Sequence, residues 1–314
     1  MSDVVLPPTD SAAADTPPFP SGQAPISALA RTVLQRRLRK VVQRISQCAR
    51  TADMSPEEVH GLRVAIRRCA AALDTFRPLL PKRRIERFSR RLKHVRKVAG
   101  KVRDLDVLLE RLLTAQLDPV AVDSDESDEL LDSRHRLVRK LRRAARNEQQ
   151  CELKCRARGI ARRVRWRGDD DEPTTSAIAP TLLEPIAERC RKNGARDLTS
   201  VRRLHHFRIS VKRLRYACEF VQPGLNLDAC RQLQELLSGL QQRLGDICDH
   251  AATIRLLERP GITRKGDAAD LVAREQAALA ALQTRFVAWW EPGGREQFER
   301  AIAGCRVGSD HHCP

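Results

Sequence analysis

Two stretches decide how this 314-residue chain is read: Val59-His60-Gly61-Leu62-Arg63-Val64-Ala65-Ile66-Arg67-Arg68 and Leu204-His205-His206-Phe207-Arg208-Ile209-Ser210-Val211-Lys212-Arg213. They align without gaps at an offset of 145 residues, His60 falling on His205. The same offset carries Ala72 to Ala217, Asp74 to Glu219, Leu92 to Leu237 and Val95 to Leu240. It also carries Gly100 to Gly245, Val102 to Ile247 and Asp104 to Asp249. Self-similarity at a fixed period marks a duplicated structural unit.

The period inside each copy is helical. Val59, Leu62, Ile66, Cys69, Leu73 and Phe76 recur at spacings of three and four, as do Leu204, Phe207, Val211, Leu214, Cys218 and Val221. Such stripes belong to helices packed in antiparallel bundles. Pro78 and Pro81 stop the first motif helix, and Pro223-Gly224 stops the second. A helix precedes each motif (27–50 and 178–193), a Gly-x-x-x-Asp helix follows each (83–116 and 228–258), and a fourth closes each half (126–165 and 268–290). The expectation is an all-α fold: two four-helix bundles related by a pseudo-two-fold, with a basic central surface. The halves span 26–168 and 178–292, joined by a linker at 169–177 that contains Asp169-Asp170-Asp171-Glu172-Pro173. Residues 1–25 hold six of the 17 prolines and no Lys or Arg, which predicts a disordered leader; residues 293–314 read as a C-terminal tail.

Composition narrows the function. The chain carries 58 Lys plus Arg against 40 Asp plus Glu, net +18 with a pI near 10.2. That excess predicts a polyanionic partner. Residues 26–120 hold 23 Lys/Arg and 9 Asp/Glu, so the charge is concentrated in the first helical block. Aromatic residues are only 4%, which leaves few platforms for stacking unpaired bases. No apolar run is long enough to span a bilayer, and the N-terminus lacks the charged and apolar regions of a secretory signal. Ten cysteines without close pairing suit a reducing compartment, so the expected location is cytoplasmic, with no membrane partner.

Each motif helix sets its cations on one face. His60, Arg63 and Arg67 stand at i, i+3 and i+7; His205, Arg208, Lys212 and Arg215 do the same. Like charges at that spacing repel, so their repetition in register implies an anion that meets them. Arginine supplies a planar fork for phosphate oxygens, and protonated histidine strengthens a bond to an anion. If His60 and His205 contact phosphate, binding should tighten from pH 8 to 6. Arg96, Lys97, Lys101 and Arg103, with Lys93 and His94, extend the basic surface onto the next helix; Lys82 to Arg91 adds six Lys/Arg for long-range attraction. Asp104 and Asp249 suit orienting acids rather than catalysts. Nucleotide-loop, nucleophile-elbow and zinc-protease motifs are missing, and Cys151-x-x-x-Cys155 and His311-His312-Cys313 lack zinc-type spacing. The expectation is therefore no cofactor, no metal and no catalysis.

The motif stretches, with Leu214-Arg215-Tyr216-x-x-Glu219-Phe220 and Val102-Arg103-Asp104-Leu105-Asp106-Val107, resemble the CHAD family, the conserved histidine α-helical domain. The resemblance covers Ile26 to Trp290. It implies inorganic polyphosphate as ligand and association with polyphosphate granules. Carried over by position, it assigns contacts to His60, Arg63, Arg67 and Arg68, and to His205, Arg208, Lys212, Arg213 and Arg215. Ala70 departs from the pattern, standing where the second copy has Arg215. Family members often accompany a triphosphate tunnel domain; its Glu-x-Glu-x-Lys strand motif is not in this sequence, so the expectation is a stand-alone binding domain. Two other readings stay open. A helical DNA-binding or nucleoid-associated protein would bind duplex DNA as well as polyphosphate, whereas here nucleic acid is expected to compete weakly. An enzyme using His60 or His205 in phosphoryl transfer would show divalent-metal-dependent turnover.

Overall fold

A computed structural model of the chain describes residues 20–114, 124–258 and 267–305. Residues 1–19 of the expected leader and 306–314 of the expected tail, with His311-His312-Cys313, lie outside them.

Among the described residues the fold is all-α, with ten α-helices and no strands. The first half comprises α1 (Ile26–Arg50), α2 (Pro56–Thr75), α3 (Lys82–Thr114), α4 (Ser124–Gln150) and α5 (Leu153–Ala161). The second comprises α6 (Thr175–Gly194), α7 (Val201–Val221), α8 (Leu227–Leu257), α9 (Asp267–Trp289) and α10 (Arg295–Gly304). In the first half α1, α2, α3 and α4 pack successively and α4 closes back on α1. In the second, α6, α7, α8 and α9 pack in order and α10 lies on α8.

Local chemistry sets the motif helices. At the start of α2 the Ser55 hydroxyl accepts the Glu58 amide at 3.2 Å, and the Glu58 carboxylate accepts the Ser55 amide at 3.0 Å. Pro56 fills the first turn, where its missing N–H costs nothing. Both apolar stripes are core: every member is 2% exposed or less. Each such Leu, Ile or Phe contributes about 1.5–3 kcal/mol by leaving water. In α3 the same spacing buries Ile85, Phe88, Leu92, Val95, Ala99 and Val102, turning its cations outward.

Several boundaries differ from the sequence reading. The single helix expected over 126–165 is broken at Glu152, whose φ of 57° puts it in the left-handed region, and α5 turns back against α1. The segment 293–314 contains α10, anchored by Phe298 and Ile302 at 2% and 4% exposure. Two large apolar residues in ten are too few to signal a helix against a tail. Part of the expected leader and linker is one structure: Ile26 donates to the Pro173 carbonyl at 3.1 Å, Thr175 to Ala24 at 2.9 Å and Ser176 to Gly22 at 2.9 Å.

The halves meet chiefly through α2 and α7. Glu219 of α7 accepts from Arg37 of α1 and Arg68 of α2, both at 2.9 Å. At the far end of the first half, Arg134 of α4 donates to Asp106 of α3 at 2.7 Å and to the Met54 carbonyl at 2.6 Å, both side chains being almost fully buried.

Candidate anion-binding groove

Because α2, α3 and α7 present their cations toward one another, a groove of about 580 Å3 opens between the halves. Nine Lys/Arg and one carboxylate line it. The cations are Arg63 and Arg67 of α2, Arg77 just after it, Lys93 and Arg96 of α3, Arg189 of α6, and Arg208, Lys212 and Arg213 of α7; His205 joins them at the edge. The carboxylate, Asp74, is already paired to Arg189 at 3.1 Å.

The central cations are only partly neutralised from within the protein. Burial and then Arg67 hold the Arg63 guanidinium below its ordinary range, with Asp104 acting the other way. Arg67 is lowered by burial and by Arg208, against an interaction with the Tyr216 hydroxyl. Arg96 is lowered by burial, Arg213 and Arg67. Lys212 shifts most, from 10.5 to about 7, through burial and the fields of Arg208, Arg67 and Arg215, which outweigh Asp249. The Nε atoms of Arg67 and Arg208 are buried with no acceptor. Donors left in that state cost the unliganded fold stability.

Glycine lets Arg63 reach this position. A Cβ on Gly100 would lie 2.7 Å from Arg63 Nη1, whereas one on Gly245 would lie at an ordinary 3.5 Å from Arg208 Nη2. Arg63 therefore runs flush over α3.

The remaining expected contacts fall elsewhere. Arg68 and Arg215 hold guanidinium groups over the Tyr216 ring at 5.3 and 5.1 Å, and Arg68 is bonded to Glu219. Neither lines the groove. Lys97 and Lys101 stand exposed on α3 outside it, and Arg103 lies 3.6 Å from Glu110. His60 is exposed beyond the lining, with its pKa lowered by desolvation and by Arg103, Arg67, Arg63 and Lys212; His205 is lowered by desolvation, Arg208, His206, Arg255 and Lys212. Asp249 lies 3.9 Å from Arg208, and Asp104 is exposed near Arg63. Lining residues the motifs did not flag include Arg77, Ser89, Arg189 and Ile209. Arg189 had no sequence signal, since only tertiary packing brings α6 to the site. Among the described residues no group of His, Cys, Asp and Glu could hold a metal ion, and no helix is long and apolar enough to cross a membrane.

Fold and groove together define an all-helical protein with a cation-lined cleft between two packed halves. The CHAD domain family model matches residues 46–258, and the chain belongs to that family. Among solved structures it is similar to the CHAD domain from the plant Ricinus communis, with 21% identity, a TM-score of 0.59, and coverage of 95% of this chain and 99% of that one. It is also similar to PptA from Streptomyces chartreusis, with 17% identity, a TM-score of 0.57, and coverage of 89% and 100%. No curated protein matches this sequence.

Proposed function

We propose that the protein binds inorganic polyphosphate in the groove between α2, α3 and α7, without catalysing its turnover. The observation that carries this reading is nine cations facing one already-paired carboxylate in a cleft of about 580 Å3. Family membership supports it. The flank of the bound chain is set by an asymmetry between the copies: Lys93, Arg96, Lys97 and Lys101 of α3 become Ser238, Gln241, Gln242 and Asp246 of α8. Polyphosphate leaving the groove therefore follows α3, where Lys97, Lys101 and Arg103 extend the field. A rigid duplex cannot enter a cleft walled by three helices, so DNA is expected to bind only the outer surface. Association with polyphosphate granules follows as a cellular consequence of such binding.

The test is a competition titration with labelled long-chain polyphosphate at about 150 mM salt, where distant charges are screened. Polyphosphate should bind the wild type tightly, duplex DNA should compete poorly, and an Arg63→Ala, Arg208→Ala double variant should lose affinity. Equal competition by DNA with an unaffected double variant would sink the proposal. A parallel incubation with magnesium tests catalysis, and release of orthophosphate would overturn the non-enzymatic part.

A further inference from the structure

Away from the groove, three helices bring three thiols together. Cys218 lies in the last turn of α7, Cys230 in the first turn of α8, and Cys305 directly after α10. Cys218 Sγ and Cys230 Sγ are 3.2 Å apart, and the packing of α10 on α8 brings the Cys305 thiol near enough to perturb Cys218. Cys218 and Cys230 are inaccessible to solvent, while Cys305 keeps 4% exposure where α10 ends. The Gln234 side-chain amide donates to Cys230 Sγ at 3.4 Å, and a Cβ on Gly304 would lie only 3.2 Å from the Ala229 Cβ, so the end of α10 sits tightly on the start of α8.

These thiols differ from the other buried cysteines. Burial pushes Cys48, Cys69 and Cys190 up to about 12, leaving them inert. Cys230 and Cys305 are instead lowered because each accepts from Cys218, whose own thiol is raised by that donation. Cys218 is thus the sulfur of the three that holds its proton most firmly.

We propose that Cys218, Cys230 and Cys305 form a peroxide-responsive dithiol–disulfide site whose end product bonds Cys218 to Cys230 across the α7–α8 hairpin. Cys305, the accessible member, attacks the distal oxygen of a hydroperoxide; the O–O bond breaks, an alcohol or water leaves, and Cys305 becomes a sulfenic acid. Cys218 displaces its oxygen as water, forming a Cys218–Cys305 disulfide. Cys230 thiolate then attacks Cys218 Sγ and expels Cys305 as thiolate. Two thiols lose one electron and one proton each, and one peroxide is reduced. The product ties the end of the groove-bearing helix α7 to α8 and returns Cys305 as a thiolate, with Cys218 and Cys230 spent until the disulfide is reduced.

The experiment uses the whole chain, pre-reduced and exposed to graded hydrogen peroxide, with free thiols then alkylated under denaturing conditions and peptides mapped. The expected result is a Cys218–Cys230 disulfide while Cys48, Cys69 and Cys190 remain alkylated. If Cys218 stays fully alkylatable at doses that oxidise the exposed Cys155, the proposal fails. It also fails if Cys218 is cross-linked evenly to many cysteines. In Cys305→Ser the Cys218–Cys230 bond should form at least tenfold more slowly; an unchanged rate would overturn the entry role of Cys305. In Cys218→Ser a sulfenic acid should persist on Cys305 and be trapped by a dione probe, whereas a new Cys230–Cys305 disulfide would show that Cys218 is not the shared partner.

Discussion

Lys212 offers the sharpest test of the groove, because its charge is set by neighbours that an anion would neutralise. Unliganded, it sits at about 7 rather than 10.5 under burial and the fields of Arg208, Arg67 and Arg215, opposed by Asp249. Polyphosphate laid across these cations reverses the field and restores the ammonium. Above pH 7 binding therefore takes up a proton, and each pH unit weakens it up to tenfold, about 1.4 kcal/mol. With full recovery of the ordinary value, affinity falls about 25-fold from pH 6.5 to 8.5. The assay is a titration of labelled polyphosphate at constant ionic strength. Lys212→Arg, charged throughout, should abolish that slope while retaining affinity. His60 and His205 are also held below their ordinary value, first by desolvation and then by neighbouring cations, so any proton they take up on binding adds at the acid end of the range, where Lys212 is already protonated. A flat wild-type profile from 6.5 to 8.5, or an unchanged slope in Lys212→Arg, would refute the reasoning.

Three further outcomes are expected. Gly245→Ala should stabilise α8 by about 0.5–1 kcal/mol with no change in binding, whereas Gly100→Ala should fold as well or better yet bind polyphosphate several-fold more weakly, because its Cβ displaces Arg63; denaturant titration beside binding separates the two effects. Arg134→Met leaves Asp106 buried and unpaired, and should cost about 3–5 kcal/mol in chemical unfolding. The logarithm of the binding constant should fall against the logarithm of salt concentration with a slope of about −6 if all nine groove cations displace counterions; a slope near −2 would show that most of them do not touch the ligand.

What could be read from sequence follows from what a single helix reveals. The stripes from Val59 to Phe76 and from Leu204 to Val221 were legible because a helical period records which face is buried. Arg63, Arg67, Arg208 and Lys212 were legible because the repeat set them beside that face. Arg68 and Arg215 were not separable from them: a helical wheel does not show that Tyr216 and Glu219 wait on the adjoining flank. Arg189 enters the groove through contacts between helices far apart in sequence, where no spacing rule operates, and Arg77 lies beyond the end of α2, in the turn that Pro78 marks as a stop. Asp106 was hidden for the opposite reason. The offset that pairs Asp104 with Asp249 places Ala251 opposite Asp106, so its bond to Arg134 is private to the first half.

The placement of carboxylates explains why the groove is poised. Glu219 neutralises Arg37 and Arg68 at the junction of the halves, Asp74 neutralises Arg189 at the rim, and Asp106 neutralises Arg134 at the far end of the first half. Arg63, Arg67, Arg96 and Lys212 are left to repel one another at the centre, a destabilisation that an anionic ligand would relieve. Between pH 7 and 10.5 the unfolded chain binds a proton that the folded chain does not, so Lys212 destabilises the fold most below pH 7 and not at all above 10.5. Lys212→Met should therefore raise the Tm of the unliganded protein by about 2–4 °C at pH 6.5, with the gain shrinking toward pH 10, while weakening polyphosphate binding. A variant less stable than wild type at pH 6.5 would mean that Lys212 is held by packing its stem rather than strained by its charge, and the groove would then be a structural joint rather than a site built to be filled.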